Sequence, residues 1–326
     1  MGLTRREAMV GFGGALALVS RPALAQAAYP SRNIRMIVPY PPGGTTDLLG
    51  RLIADQIKTG LNAIVVVENK PGAGTTLGAE QVARSDPDGY TLLMATSTTL
   101  AINKTLYKKL PYDPVKDFAA ISLVAAVPFA LIINPTIPAR TLSEFIAYAK
   151  ANPGLAYGSA GNGSPQHLGA EMLKSAANID IRHVPYRGSI PAMLDVIAGH
   201  IPFMIVDLQP ALQQIREGKV RVLGVTTPKR VAAAPDIPTI AEGGLPGYEL
   251  VAWQGVVAPA NTPRPIIDAL AAQIARLLAD PATSERFTSI AIELLPASTP
   301  DSFASYIKTE VDRWATIVKN SGAEAE

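Results

Sequence analysis

The stretch Tyr40-Pro41-Pro42-Gly43-Gly44-Thr45-Thr46-Asp47 limits what this chain can fold into more than any other. Residues 34–38 before it form a short apolar run that reads as a buried strand. After it, Leu48, Leu49, Leu52, Ile53 and Ile57 recur at helical spacing. The eight residues are therefore a strand-to-helix turn at the carboxyl edge of a sheet, the place where α/β proteins bind ligands. Two prolines stiffen the turn, and two glycines let the backbone curl with no Cβ in the way. The amides that follow are free first-turn donors at the positive end of a helix, a setting that favours an anion, and a carboxylate is the natural guest. The plainer reading, a Pro-Gly turn that only joins two elements, stands beside it.

The chain is 326 residues long, 48% hydrophobic and 17% charged, enough for a sizeable core and two domains of ordinary size. Its first residues read as an export signal. Thr4-Arg5-Arg6 precedes an apolar segment over residues 8–19, and Ala23-Leu24-Ala25 and Ala25-Gln26-Ala27 offer cleavage after Ala25 or Ala27. The paired arginines point to the twin-arginine route, and the apolar segment is too short to span a membrane. Arg5, Arg6 and Arg21 against Glu7 account for the whole formal charge of +2, so the chain after residue 27 is neutral. No basic face and no nucleic-acid partner are implied. With no cysteine, disulfides, thiolate metal sites and a cysteine nucleophile are excluded.

Beyond the leader, strand-like and helix-like segments alternate, the pattern of an α/β protein with mostly parallel sheets. A second glycine-rich turn, Glu68-Asn69-Lys70-Pro71-Gly72-Ala73-Gly74, follows a β-branched run. The strand at 90–95 leads into the polar loop Thr96-Ser97-Thr98-Thr99, and Thr141-Leu142-Ser143-Glu144 has the spacing of a capping box. In the second group of units, a strand at 155–159 ends in Ala160-Gly161-Asn162-Gly163-Ser164-Pro165, and His183-Val184-Pro185-Tyr186 leads into Arg187-Gly188-Ser189. No linker separates the groups, so the chain crosses between two lobes more than once. The extended runs at 127–134 and 251–258 are the crossing candidates, and the closing helices, the last opened by Thr299, return to the first lobe. This places residues 28–129 and 255–326 in lobe 1 and 130–254 in lobe 2, with polar loops facing across a cleft.

Enzyme motifs are scarce. A phosphate-binding P-loop is absent, Gly161-Asn162-Gly163 lacks the third glycine of a dinucleotide fingerprint, and neither Ser159 nor Ser164 sits in a G-x-S-x-G elbow. His167, His183 and His200 have no metal-ligand spacing, so neither metal nor cofactor is expected. Hydrogen-bonding groups in loops after strands are abundant instead, which suits a site that holds a small polar ligand without reacting with it. The candidate ligand-binding residues are Tyr40, Gly43, Gly44, Thr45, Thr46, Asp47, Thr96, Ser97, Thr98, Ser159, Gly161, Asn162, Gly163, Ser164, His167, Tyr186, Arg187, Gly188, Asp207 and Trp253. Several carry a second reading. His167 at a helix start is more often structural, Trp253 could floor the cleft or pack the core, and Arg187 could meet a ligand or pair with a carboxylate between loops. Asp207, ending an apolar strand, needs partners that a loop, a ligand amine or water would supply.

In order along the chain, Tyr29-Pro30-Ser31-Arg32, Ile37-Val38-Pro39-Tyr40-Pro41-Pro42-Gly43-Gly44, Val67-Glu68-Asn69-Lys70-Pro71-Gly72-Ala73-Gly74, Pro87-Asp88-Gly89-Tyr90-Thr91-Leu92-Leu93 and Leu110-Pro111-Tyr112-Asp113-Pro114 form a specific series. Ser159-Ala160-Gly161-Asn162-Gly163-Ser164, His183-Val184-Pro185-Tyr186-Arg187-Gly188, Leu245-Pro246-Gly247-Tyr248 and Ala252-Trp253 continue it. The series resembles the Bug family, the extracytoplasmic solute-binding proteins of tripartite tricarboxylate transporters. The resemblance implies a two-lobed α/β protein like the type II periplasmic binding proteins. It would be a monomer that closes on a carboxylate held by loop amides and ordered water, and would hand it to membrane subunits of the transporter. The ligands of the family include amino acids, di- and tricarboxylates and aromatic acids. Arg187 stands where the family usually has Lys, and Tyr40 where Phe is common, so the ligand does not transfer from any one relative. A receptor that presents its ligand to a sensor is the alternative, and a hydrolase the remoter one.

Overall fold

The computed structural model describes residues 29–324; the expected export signal and its cleavage site lie outside them. The proline- and glycine-rich turn of residues 39–44 sits between β1 (Ile34–Val38) and α1 (Thr45–Leu61), with Gly44 as an N-cap that no side chain supplements. Alternation along β1 divides its residues between two cores. Ile34, Met36 and Val38 pack with Leu49 and Ile53 of α1, while Ile37 faces a cluster on the other side of the sheet. Strands buried on both faces read as continuous apolar runs, and burying each Leu, Ile or Val contributes roughly 1.5–3 kcal/mol.

One ten-stranded sheet runs through the described residues, in the order β2-β1-β3-β9-β4-β7-β5-β6, with β8 and β10 (Glu293–Leu294) also pairing with β4. Its first half holds β2 (Val65–Asn69), β1, β3 (Thr91–Thr96) and β9 (Val251–Pro259). Its second half holds β5 (Leu155–Ser159), β6 (Ile181–Pro185), β7 (Phe203–Asp207) and β8 (Arg221–Val225). β4 (Phe118–Ile133) belongs to both, pairing with β9 along residues 118–128 and with β7 along 129–133. The crossing strand is thus longer than the expected 127–134. Residues 118–126 lie in the same continuous ladder, and their small, weakly β-forming alanines had hidden it.

The sheet is mixed. β1 pairs in parallel with β2 and β3, and β5 with β6 and β7, but β4 and β9 run antiparallel to their neighbours. A chain that crosses a hinge and comes back must reverse direction, so the connecting strands cannot be parallel. Both expected lobe limits, 129/130 and 254/255, fall inside continuous strands, β4 and β9.

The capping box is formed as expected. Thr141 Oγ1 accepts from the Glu144 amide at 3.2 Å, and the Glu144 carboxylate returns to the Thr141 amide, opening α4 (Leu142–Ala151). The segment at 96–99 is not a loop. It enters a π-helical turn (Thr98–Ile102) and then α3 (Asn103–Leu106), and its hydroxyls are buried. The helices that shape the cleft of the second half are α5 (Pro165–Ala177), α6 (Ser189–Ala198) and α7 (Leu208–Arg216). α8 (Arg264–Leu278), α9 (Pro281–Ser289) and α10 (Pro300–Ser321) close the chain, the last capped by Thr299.

Candidate functional site

Four helix N-termini converge on one narrow cavity between the halves of the sheet. α1 presents Gly44, Thr45 and Thr46, and α5 presents Pro165 and Gln166; α6 brings Gly188 to Pro191, and α7 starts at Asp207. Tyr40, Thr96, Ser97, Thr98, Trp253 and Gln254 complete most of the polar lining, with Val127 and Phe129 as apolar wall. No side chain caps α1 or α6, so their first amides stay free and their dipoles make the cavity positive without a basic side chain. Among the residues lining the cavity there is no Lys, Arg or His; Asp207 is the one acid.

The halves meet across this space. Thr45 Oγ1 donates to Asp207 Oδ2 at 3.2 Å, and a Cβ on Gly188 would lie 3.3 Å from the ring of Pro41. A Cβ on Gly163 would run into Leu106 of the opposite half, and Gly163 has φ +69°, so glycine suits both the backbone and the approach. The enclosed volume is about 50 Å³, room for only a few waters. A wider vestibule outside it is lined by Gly161, Asn162, Ser164, Tyr186 and Arg187 from one side and residues 71–75 from the other.

Asp207 lies at the meeting point. Gln166 Nε2 donates to its Oδ1 at 2.7 Å and also to Ser189 Oγ at 3.0 Å. Burial pushes the Asp207 carboxyl up to about 6, against the hydrogen bonds from Thr45 and Gln166 that favour the charged form. Tyr40 donates to Thr98 Oγ1 at 3.3 Å, and burial raises its phenol above the usual range.

Several expected site residues do not line the cavity. Asp47 turns away from it. Arg51 grips its carboxylate at 3.0 and 3.1 Å, Asn69 Nδ2 donates at 2.9 Å, and the Gly43 amide donates at 3.1 Å. Burial acts to raise this carboxyl, but those bonds win and hold it below the ordinary range. Asn69 also reaches the Tyr40 carbonyl at 3.0 Å, so Asp47 and Asn69 staple the first turn to β2.

Ser159 and His167 lie beneath the 161–164 loop, and Gly163 lies within it without lining the cavity. Ser159 is fully buried, 2.6 Å from His183 Nε2, and its hydroxyl accepts from the Gly161 amide. His167 Nδ1 accepts from the Gly163 amide at 3.1 Å, and its ring stacks on His183 with centroids 3.8 Å apart. Burial holds both imidazoles low, His167 at about 4 and His183 at about 3, so both are neutral near pH 7. With Ser159 itself fully buried, the Ser159–His183 pair supports the loop from beneath.

Arg187 is exposed at the vestibule and makes no ion pair among the described residues, which removes the expected pairing with a carboxylate. Trp253 serves both of its readings. It borders the cavity while its Nε1 donates to the buried Glu310 of α10 at 2.8 Å. Gln166, Ser189 and Gln254 were missed from the sequence. Gln166 is the immediate neighbour of His167, and one step around a helix turns a side chain by about 100°, which is enough to exchange the two.

A family model described as "Tripartite tricarboxylate transporter family receptor" matches residues 49–323. The chain belongs to this family. It is 36% identical over 326 residues to protein BugT of Bordetella pertussis, covering 99% of each chain. Among solved family-like structures, a Rhodopseudomonas palustris protein with adipate superposes with a TM-score of 0.88 at 33% identity, covering 91% of this chain and 99% of that one. MatC of Rhodopseudomonas palustris with bound malate gives 0.84 at 33% identity, covering 89% of this chain and 100% of that one. Among the described residues, no helix of this family member is long and apolar enough to cross a membrane.

Proposed function

We propose that this chain is an exported receptor whose two lobes, residues 28–129 with 255–326 and 130–254, close on a small carboxylate and deliver it to the membrane subunits of a tripartite transporter. The observation that carries the reading is the convergence of four helix N-termini, three of them without a side-chain cap, on a cavity with no basic side chain. Free amides at a positive dipole end hold a carboxylate by charge-assisted hydrogen bonds. The adipate and malate in the two Rhodopseudomonas palustris relatives support the same ligand class. One carboxylate rests on the amides of residues 44–46, and the second lobe closes over it through Gly188 and Ser189. The receptor acts as a monomer in the periplasm after its signal is removed, and it binds without transforming its ligand.

Thermal unfolding against a panel of carboxylic acids and their primary amides tests the reading. A ligand that binds only the closed, folded form stabilises it by RT ln(1 + [L]/Kd), about 2.7 kcal/mol at a hundredfold excess over Kd. At least one acid is expected to raise the melting temperature while its amide does not; equal effects of acid and amide would overturn it.

A further inference from the structure

Acceptors crowd the cavity where an anion-binding site needs donors. Asp207 accepts one bond at each carboxylate oxygen, from Thr45 and from Gln166, and each oxygen has a further lone pair. Gln166 Oε1 and Gln254 Oε1 are buried and without a hydrogen-bond partner among the described residues. The orientation of the Gln166 amide is fixed, because its nitrogen must be the group 2.7 Å from a carboxylate oxygen. Its free oxygen is therefore a true acceptor, and a buried acceptor left unpaired is costly.

Among the described residues, no cation balances these groups. The lining contains no Lys, Arg or His; Arg187 is exposed in the vestibule, His167 and His183 lie behind the 161–164 loop, and Arg51 is engaged by Asp47. Resting on the carboxylate reading above, we infer that Asp207 and Gln166 Oε1 together receive an ammonium group of the ligand, so that the cleft selects amino acids over acids of the same skeleton without the amine. An ammonium offers three donors and a positive charge, enough to serve both acceptors and to compensate the one acid in the cavity. A hydroxyl offers a single donor and no charge. An unsubstituted dicarboxylate brings two anions to Asp207 and satisfies neither acceptor. The free amides of residues 44–46 remain for the ligand's carboxylate.

Calorimetric titration with L-aspartate, L-malate and succinate, and with L-glutamate, L-2-hydroxyglutarate and glutarate, isolates the group at C2 on a fixed skeleton. In the series that binds, affinity is expected to fall at least tenfold from amino to hydroxy acid and again to the unsubstituted acid. In Asp207→Asn that spread should collapse to within about threefold, mainly through a loss of the amino acid of a hundredfold or more. Gln166→Met keeps the acid but removes its neighbouring acceptor, and should weaken the amino acid more than the unsubstituted acid. Succinate or glutarate binding as tightly as its aminated counterpart would overturn the inference while leaving the carboxylate reading intact, as would an unchanged ranking in folded Asp207→Asn. Failure of all six acids to bind would overturn the inference, and the carboxylate reading would fall with it only if the wider panel of acids also failed.

Discussion

Each half of the cleft carries an aspartate at the start of a helix, Asp47 on α1 and Asp207 before α7, and the two have opposite fates. Asp47 is surrounded by donors, with Arg51, Asn69 and the Gly43 amide on its two oxygens, and its carboxyl is held low. Asp207 has neutral donors only, and burial pushes its carboxyl up to about 6. One carboxylate is used to fasten a loop, and the other is left with unused acceptor capacity inside the cavity. The loops differ in the same way. The first turn is stapled by charge, whereas the 161–164 loop rests on stacked neutral imidazoles. A residue type near a ligand site thus says little until its donors are counted.

The largest expected effect is at the first turn itself. Gly44 has φ −86° and open space where a Cβ would stand, so Gly44→Val strains nothing and puts its branched side chain where the ligand approaches the amides. Ligand affinity is expected to fall at least a hundredfold, about 3 kcal/mol, with an unchanged melting temperature; unchanged affinity by calorimetry would show that the amides at 44–46 are not the anion site.

The aspartates should then separate by sign. Asp207 has a folded pKa above the unfolded value of 3.8, so its charge costs stability progressively from there up to about pH 6, and fully above it. Asp207→Asn should stabilise the unliganded protein at pH 7.5 by up to about 3 kcal/mol, an advantage that disappears below pH 4 in denaturant titrations. Asp47 is the reverse. Its folded pKa is depressed, so it contributes stability above the unfolded value and loses it as pH falls. Asp47→Ala should cost about 2 kcal/mol at neutral pH and weaken binding by loosening the turn. The same sign of stability change for both variants would erase the contrast.

The imidazole stack predicts an acid sensitivity that sets in at higher pH than that of the charged staple. Both rings have folded pKa values below 6.5, so the unfolded chain takes up protons first and stability falls as pH drops from 6.5 toward 4. His183→Phe, which keeps an aromatic stack, should lose about 2 kcal/mol less than the wild type between pH 7 and 4.5. The smallest effect is expected at Arg187. With no ion pair to lose and a place outside the inner cavity, Arg187→Lys should change affinity less than about twofold for mono- and dicarboxylates alike, and a dicarboxylate-specific loss would move Arg187 into the site.

The strand–turn–helix at 34–61, the Thr141 capping box and the Thr299 cap were legible because local rules decide them: apolar periodicity, glycine at a tight turn, and a side-chain oxygen within reach of amides three residues on. The crossing role of the strand around residue 130 was legible too, though not its start at Phe118. The segment at 96–99 was misread because a run of Ser and Thr looks like a loop, while here it is buried at the start of a helical turn.

By itself, the sequence determined the α/β alternation, the absence of enzyme and metal motifs, the family, and the glycine-rich turns that bring backbone amides to a strand's carboxyl edge. These depend on short spacings and on residue types that admit few conformations. Only the tertiary structure decided which side chains face the cavity. Gln166 and not His167 enters it, Asp207 and not Asp47 stays available, and Arg187 stays outside. The physical reason is that facing is set by partners distant in the chain: Asn69 turns Asp47 away, His183 holds His167 beneath its loop, and Thr45 meets Asp207 only because the two halves close on each other.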